Sequence, residues 1–261
     1  MIRIGICAGT ERLEEVASIG FDYLETSLSG LAQMDERAYE ELTHRVDESP
    51  IRIEACNGML PGRIRVTGND VSASVQHQYL QHAFSRARRL GCETVVFGSS
   101  GSRNVQPGFD YGTAYRQINN FLRLTHGHAQ DFGIRVAIEP LRRHESNILN
   151  LVSEANQLAS LLQLPTIGVL GDTYHMEMNS EPFDVFSQAG IRLLHVHTAN
   201  ALGRKAPRRN DGEDYRAIFT ALKNAGYDGR ISIEGVLDDF AKDAREGLIC
   251  LKEARMSVFG E

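Results

Sequence analysis

The sequence predicts one (β/α)8 barrel, a single domain running from residue 1 to residue 261. Three observations predict it. Eight short runs rich in β-branched residues alternate with longer stretches whose apolar residues recur at helical spacing. Several helical stretches end in glycine just before the next strand, where a left-handed cap costs least. The length of 261 residues is close to the roughly 250 of one such barrel.

In chain order the predicted strands are Arg3–Cys7, Tyr23–Thr26, Ile51–Cys56, Thr94–Phe97, Arg135–Glu139, Ile167–Gly171, Leu193–His197 and Ile231–Glu234. Between them lie the helical patterns ERLEEVASIG, DERAYEELTHRVDES, VSASVQHQYLQHAFSRARRLG, YGTAYRQINNFLRLTHGHAQDFG, SEANQLASLLQ, PFDVFSQAG and DYRAIFTALKNAGYDG, and DDFAKDAREGLICLKEARMSVF closes the chain. Phe121, Leu122 and Leu124, like Ile218, Phe219 and Leu222, illustrate the three- and four-residue spacing. The expected cap glycines are Gly20, Gly91, Gly133, Gly190 and Gly226. Eight strand–helix units imply parallel strands joined by crossovers. A closed barrel fits that count better than an open sheet, and no G-x-G-x-x-G turn follows an early strand. The longest irregular stretches, 57–71, 99–110 and 198–213, each follow a predicted strand. They therefore belong on the C-terminal face, where barrel active sites lie.

Composition narrows the function classes. A hydrophobic fraction of 42% with 24% charged residues is that of an ordinary globular protein. The formal net charge of −6 makes duplex nucleic acid a poor partner. Cys7, Cys56, Cys92 and Cys250 are dispersed with no C-x-x-C pair, so reduced thiols and a cytoplasmic location are expected. MIRIGICAGTERLEE turns to a Glu-rich helix too early for a signal peptide, and no apolar run approaches the ~18 residues of a membrane span.

The ends of the last four predicted strands carry the chemistry. RVAIE ends at Glu139, IGVLGD runs into Asp172, LLHVH ends at His197 and ISIE ends at Glu234. These residues lie 33, 25 and 37 positions apart. That is close to the roughly 31 residues per unit of an eightfold barrel, so all four occupy one ring position. Three carboxylates and an imidazole at one point repel one another when empty, and a divalent cation relieves that repulsion. The oxygen and nitrogen donors suit one divalent ion, Mn2+ or Co2+ first, with Mg2+ and Zn2+ after them.

The segments IEPLRRHESNILN, GDTYHMEMN, HVHTAN and YDGRISIEG resemble the sugar phosphate isomerase/epimerase family, with its xylose-isomerase-like barrels. Tagatose/psicose 3-epimerases and hydroxypyruvate isomerases are its known enzymes. The resemblance covers essentially the whole chain. It implies metal ligation by Glu139, Asp172, His197 and Glu234, and substrate contacts from Glu145 and His175. Arg204 is the candidate for the arginine that follows H-x-H in the epimerases, although it comes one position late. The P-G-x-G loop of the epimerases is missing here, and the chain has no Trp for an aromatic pocket wall.

The expected reaction is isomerisation or epimerisation of a ketose or keto-polyol through a metal-stabilised enediolate, with Glu139 and Glu234 as the acid/base pair. A lyase or dehydratase acting on a keto-sugar or keto-inositol shares that first step. An AP endonuclease is a remote rival, because the loops SLSG, NGMLPG, GSSGSRN and RRNDGED hold none of the extra histidines its metal cluster needs. The resemblance also implies a homo-oligomer.

Other polar residues have competing readings. His195 shares a strand face with His197 and is expected one layer deeper, hydrogen-bonded rather than ligating. Glu25 either points into the site or caps the next turn. His44, His77, His82, His126 and His128 are expected as surface or satisfied core residues. Arg103 in GSSGSRN, with Arg142, Arg143, Arg204, Lys205, Arg208 and Arg209, would suit an acidic substrate. The simpler expectation is solvated loop charges and a neutral substrate.

Overall fold

The computed structural model describes residues 1–260. Its strands are β1 (Arg3–Cys7), β2 (Tyr23–Ser27), β3 (Ile53–Asn57), β4 (Thr94–Phe97), β5 (Arg135–Ile138), β6 (Ile167–Asp172), β7 (Leu193–Thr198) and β8 (Arg230–Ile233). They pair in sequence order, all parallel, and β8 returns to β1 to close the barrel. The helices are α1 (Leu13–Ile19), α2 (Leu28–Gln33), α3 (Glu36–Glu48), α4 (Ala73–Arg89), α5 (Ser100–Arg103), α6 (Tyr111–Phe132), α7 (Val152–Leu162), α8 (Thr173–Met178), α9 (Val185–Ala189), α10 (Tyr215–Asn224) and α11 (Phe240–Phe259). The eightfold β/α beat is thus the one the sequence predicts.

Sequence and structure differ where local capping competes with a loop. SLSG after β2 is helical, because the Ser27 side chain accepts from Gly30 N at 3.1 Å and starts α2. Part of the expected 99–110 loop forms α5, and the segment after β6 forms α8. Segments 58–71 and 199–213 hold neither helix nor strand beyond a single Lys205–Val236 bridge. β3 starts at Ile53 rather than Ile51 and reaches Asn57. Glu139 and Glu234 stand one residue beyond β5 and β8, yet their backbone N–H groups still donate to Phe97 O at 3.2 Å and Thr198 O at 3.0 Å. The barrel ladder therefore fixes both side chains. Gly133 (φ 63°) and Gly20 (φ 98°) close α6 and α1 in the left-handed region, as their spacing implied.

Two apolar layers carry the fold. The larger lies between the strands and the helices, where Phe84, Phe121, Phe186 and Phe219 are fully buried. Burial of each such side chain contributes about 1.5–3 kcal/mol. The smaller layer is only Val96, Ala137, Leu170 and Leu194. Much of the remaining barrel interior is polar: Tyr23, Glu25, His195, His197 and Ser232 are all fully buried. Gly5 leaves room for Tyr23, whose ring would overlap a Cβ at that position. At the N-terminal mouth Arg3 and Arg230 meet Glu54 Oε2 at 2.6 and 2.7 Å, and Arg230 meets Glu93 at 2.6 Å. These ion pairs seal the barrel floor beneath Tyr23.

Candidate metal centre

At the C-terminal mouth, Glu139, Asp172, His197 and Glu234 each present one donor atom, and the four atoms lie within 4.8 Å of one another. His197 Nδ1 is 3.4 Å from both Glu139 Oε1 and Glu234 Oε2. Each side chain is aimed by its surroundings. Asp172 is the N-cap of α8, and its Oδ1 accepts from Tyr174 N at 2.8 Å and His175 N at 3.3 Å. That leaves Oδ2 free to face the cluster. Glu139 has space only because residue 98 is glycine, since a Cβ there would overlap Glu139 Oε2. Glu234 is held from the opposite half of the barrel, where Asn57 Nδ2 donates to its Oε1 at 2.9 Å.

The centre fits a cation on two grounds. First, Glu139 Oε1, Asp172 Oδ2 and His197 Nδ1 are buried and have no hydrogen-bond partner. Buried polar atoms are nearly always satisfied, and these three belong to one cluster of side chains. Second, the carboxyls strain against one another. Burial, then the charges of Glu234 and Asp172, push Glu139 above the ordinary carboxylate range. Burial and the Glu234 charge push Asp172 up to about 6. Burial would raise Glu234 too, but His197 and Arg204 outweigh it and hold it at about 2. Three oxygens and an imidazole nitrogen form a set that a divalent ion takes. The residues present therefore fit such an ion.

His197 is the hinge between this cluster and the barrel interior. Its Nε2 lies 3.0 Å from Glu25 Oε1, and His195 Nε2 lies 2.7 Å from Glu25 Oε2. Burial alone would raise the Glu25 carboxyl; the imidazoles of His197 and His195 outweigh it and hold Glu25 well below its ordinary value. Glu25 is therefore an acceptor toward both rings. Burial likewise disfavours a charged His197, but Glu25 and Glu234 outweigh it and hold the imidazole well above its ordinary value. His195 sits one layer below His197, hydrogen-bonded as expected. Glu25 points into the barrel and caps nothing. His126 bonds Thr166 at 2.7 Å and His128 Nε2 bonds His77 at 3.0 Å, so neither reaches the cluster, although His128 Nδ1 is buried without a partner.

The residues expected to contact substrate ring the cluster. His175 Nδ1 accepts from Arg142 N at 3.3 Å, and its Nε2 lies 3.7 Å from Asp172 Oδ2. Glu145 takes Arg142 Nε at 2.7 Å and lies 3.9 Å from Arg204 Nη1. Arg204 Nη2 donates to Glu234 Oε2 at 2.5 Å and is 3.7 Å from Asp172 Oδ2. Arg204 is held there in the left-handed region (φ 53°), at a cost of order 1 kcal/mol for a non-glycine residue. Val236 N donates to its carbonyl at 2.6 Å, and Gly235 lets this backbone approach closely: a Cβ there would lie 2.9 Å from Lys205 C.

Apart from exposed Arg143, the cationic loop residues are otherwise engaged. Arg103 is fully buried and donates to the carbonyls of Phe97 and Glu139 at 2.8 and 2.7 Å. It is neither an anion site nor a solvated charge, because it braces the backbone behind Glu139. Lys205 pairs with Asp238 at 2.6 Å, Arg208 with Asp243 at 2.5 Å, and Arg209 with Glu253. These three pin the loop after β7 to the segment after β8 and to α11, so they contribute to the fold, contrary to the expectation of free loop charges. Sequence reasoning missed Asn57, Gly98 and Tyr174. Tyr174 lies beneath the guanidinium groups of Arg142 and Arg204, at 5.2 and 5.0 Å, and supplies an aromatic surface without Trp. Asn57 and Gly98 follow the same end-of-strand rule as the acidic residues, on the half of the barrel where nothing acidic drew attention.

Comparison with known proteins agrees with this architecture. A family model described as xylose isomerase-like TIM barrel matches residues 13–254. The chain is 29% identical to L-ribulose 3-epimerase of Methylomonas sp. over 239 residues, 90% of this chain and 81% of the relative. It is 23% identical to D-psicose 3-epimerase of Agrobacterium fabrum over 231 residues, covering 85% and 77%. Among solved structures, 3-keto-D-glucoside 4-epimerase of E. coli superposes with a TM-score of 0.83 at 20% identity, covering 97% of this chain and all of the other. A parallel eightfold barrel matched over nearly its whole length, with three carboxylates and a histidine gathered at its C-terminal mouth, makes this chain a member of the xylose isomerase-like TIM barrel family.

Proposed function

We propose that this chain is a divalent-metal-dependent carbohydrate epimerase, acting at a carbon beside the ketone of a neutral ketose or keto-sugar. The observation that carries the reading is the four-residue cluster, three of whose members, Glu139, Asp172 and His197, each have a buried donor atom without a partner. The relatives support the reaction class. Ketose 3-epimerases and a 3-keto-glucoside 4-epimerase differ in substrate, but both invert a carbon next to a carbonyl.

When bound, the ion supplies Lewis acidity to the substrate carbonyl and stabilises the negative charge that develops beside it. The protein's own residues handle the proton. Glu139 and Glu234 follow β5 and β8, with two strands between them, so they can approach a substrate from different sides. One carboxylate takes the C–H proton, and the other delivers a proton to the opposite face of the same carbon. His175 and Arg204 offer donors to substrate oxygens, and Glu145 accepts from a hydroxyl. The charge accounting supports a neutral substrate: Lys205, Arg208 and Arg209 are engaged by Asp238, Asp243 and Glu253, and Arg142 by Glu145, which leaves exposed Arg143 as a single cation of this set without an ion pair rather than a patch for a phosphate.

The test is turnover of D-psicose, D-tagatose, L-ribulose and 3-keto-glucosides in D2O with Mn2+ or Co2+. The expected result is an epimer of unchanged composition carrying one solvent deuteron at the inverted carbon. Loss of water or of an aglycone would replace epimerisation with elimination, and deuterium at the neighbouring carbon would indicate aldose–ketose isomerisation.

A further inference from the structure

The interior of this barrel is polar along a continuous line that runs from the candidate metal centre toward the barrel floor. His197 turns Nδ1 toward the cluster and Nε2 toward Glu25 Oε1 at 3.0 Å. The other oxygen of Glu25 accepts from Ser232 Oγ at 2.5 Å and faces His195 Nε2 at 2.7 Å. Tyr23 OH lies 2.7 Å from Ser232 Oγ. All five side chains are fully buried. A carboxylate that far inside a barrel is expensive unless its oxygens are filled. Here both are filled, and on one side the donor is the imidazole that belongs to the cluster.

We propose that Glu25 is a positioning residue for the metal centre, and that with Ser232 and Tyr23 behind it it fixes His197 in the Nε2–H tautomer. The inference rests on the reading of the cluster as a metal site. Glu25 controls which ring nitrogen of His197 carries the proton. With an ion bound at the cluster the imidazole would be neutral, with one N–H and one lone pair. Glu25 can only accept, so the proton must sit on Nε2, and the lone pair on Nδ1 is left facing Glu139, Asp172 and Glu234. The same bond fixes the ring plane, because β7 sets the Cα position and Glu25 sets the far corner of the ring. Ser232 and Tyr23 hold Glu25 in turn: Tyr23 donates to Ser232, and Ser232 donates to Glu25. Outer partners of this kind are worth about tenfold to a hundredfold in metal affinity. Replacement of Glu25 by glutamine keeps the shape, but the amide can offer N–H to Nε2. That would favour the opposite tautomer and turn a proton toward the ion.

The experiment measures metal affinity directly, independent of turnover. Metal-stripped wild type, Glu25→Gln and Ser232→Ala are titrated with Co2+, following the visible absorption of the bound ion and its dissociation constant. Circular dichroism and melting of the metal-free proteins report folding. The proposal predicts that Glu25→Gln binds Co2+ about 10- to 100-fold more weakly and with an altered visible spectrum. Ser232→Ala, which removes one donor and leaves the carboxylate, weakens binding less. Wild-type affinity and spectrum in a folded Glu25→Gln protein would overturn the proposal. Should Glu25→Gln fail to fold, Ser232→Ala decides: weaker binding with unchanged melting of the metal-free protein supports it, and wild-type affinity overturns it. Failure of wild type itself to bind the ion would refute the metal centre, which is a different result from failure of the variants to differ.

Discussion

The two halves of this barrel do different work at the same mouth. β5 to β8 supply Glu139, Asp172, His197 and Glu234, whose donor atoms converge. β1 to β4 supply no member of that group. They supply Glu25 behind His197, Asn57 beside Glu234, and the empty space at Gly98 that Glu139 fills. One half presents candidate ligands and the other sets their orientation. A cluster of like charges is only as good as the contacts that aim it, and for His197 and Glu234 those contacts come from across the barrel.

The largest effects are expected in the first half. Glu139→Gln or Glu234→Gln keeps the side-chain shape and removes a base, so kcat should fall at least about a hundredfold. Steady-state kinetics with metal content measured alongside checks this. A variant that retains its ion and near-wild-type kcat would move proton transfer to another group.

This first half is also the part the sequence made legible. Acidic residues and histidine at the ends of successive strands stand out, because the ring position repeats with the β/α period and few structural roles require a charge there. The aiming contacts of β1 to β4, and the ion pairs after β7, were opaque for physical reasons. Glu25 had two readings because the direction of a strand-end side chain depends on the register of its neighbours, and the β2–β3 pairing shifts between Leu24 and Glu25. Gly98 acts through missing volume, which has no signature in one sequence. The pairing of Lys205, Arg208 and Arg209 was invisible because their partners, Asp238, Asp243 and Glu253, lie 33 to 44 residues away.

Substitutions in the second half should act through the first. Gly98→Ala places a methyl group where Glu139 Oε2 now lies, so the carboxylate must move. Metal affinity should drop by about tenfold or more, in the range of other contacts that orient ligands, while the metal-free melting temperature changes little. Asn57→Ala removes one donor to a charged acceptor, and kcat/KM should fall about tenfold, the low end for such a bond. If Gly98→Ala and Asn57→Ala both match wild type, the division of labour between the halves is wrong.

A pH series sharpens the same comparison. Asp172 is pushed up to about 6, above its ordinary 3.8, so the metal-free fold holds this proton more tightly than the unfolded chain does. Its stabilising contribution is complete below about 4 and is lost as pH rises through about 6. Protons also compete with the ion for the same oxygens. The rise in melting temperature on adding Mn2+ should therefore grow between pH 4 and pH 7. A shift that shrinks over this window would contradict the crowded-carboxylate account.

The smallest catalytic effect belongs to the loop after β7. Replacing Lys205, Arg208 and Arg209 together with Ala should leave KM for a neutral sugar nearly unchanged at low and high salt. The melting temperature should fall modestly, because exposed ion pairs contribute little each and Asp243 loses its partner. A strong, salt-sensitive preference for a phosphorylated sugar in the wild type, abolished in the triple variant, would assign these cations to substrate instead.

If four side chains from β5 to β8 form one metal site, the purified protein must hold a stoichiometric ion. Elemental analysis of protein reconstituted with Mn2+ or Co2+ and desalted should find one ion per chain. Chelation should remove it, abolish activity and lower the melting temperature, and His197→Ala should bind far less than one. Protein that holds no ion after reconstitution, or that keeps full activity after complete chelation, would rule out the site.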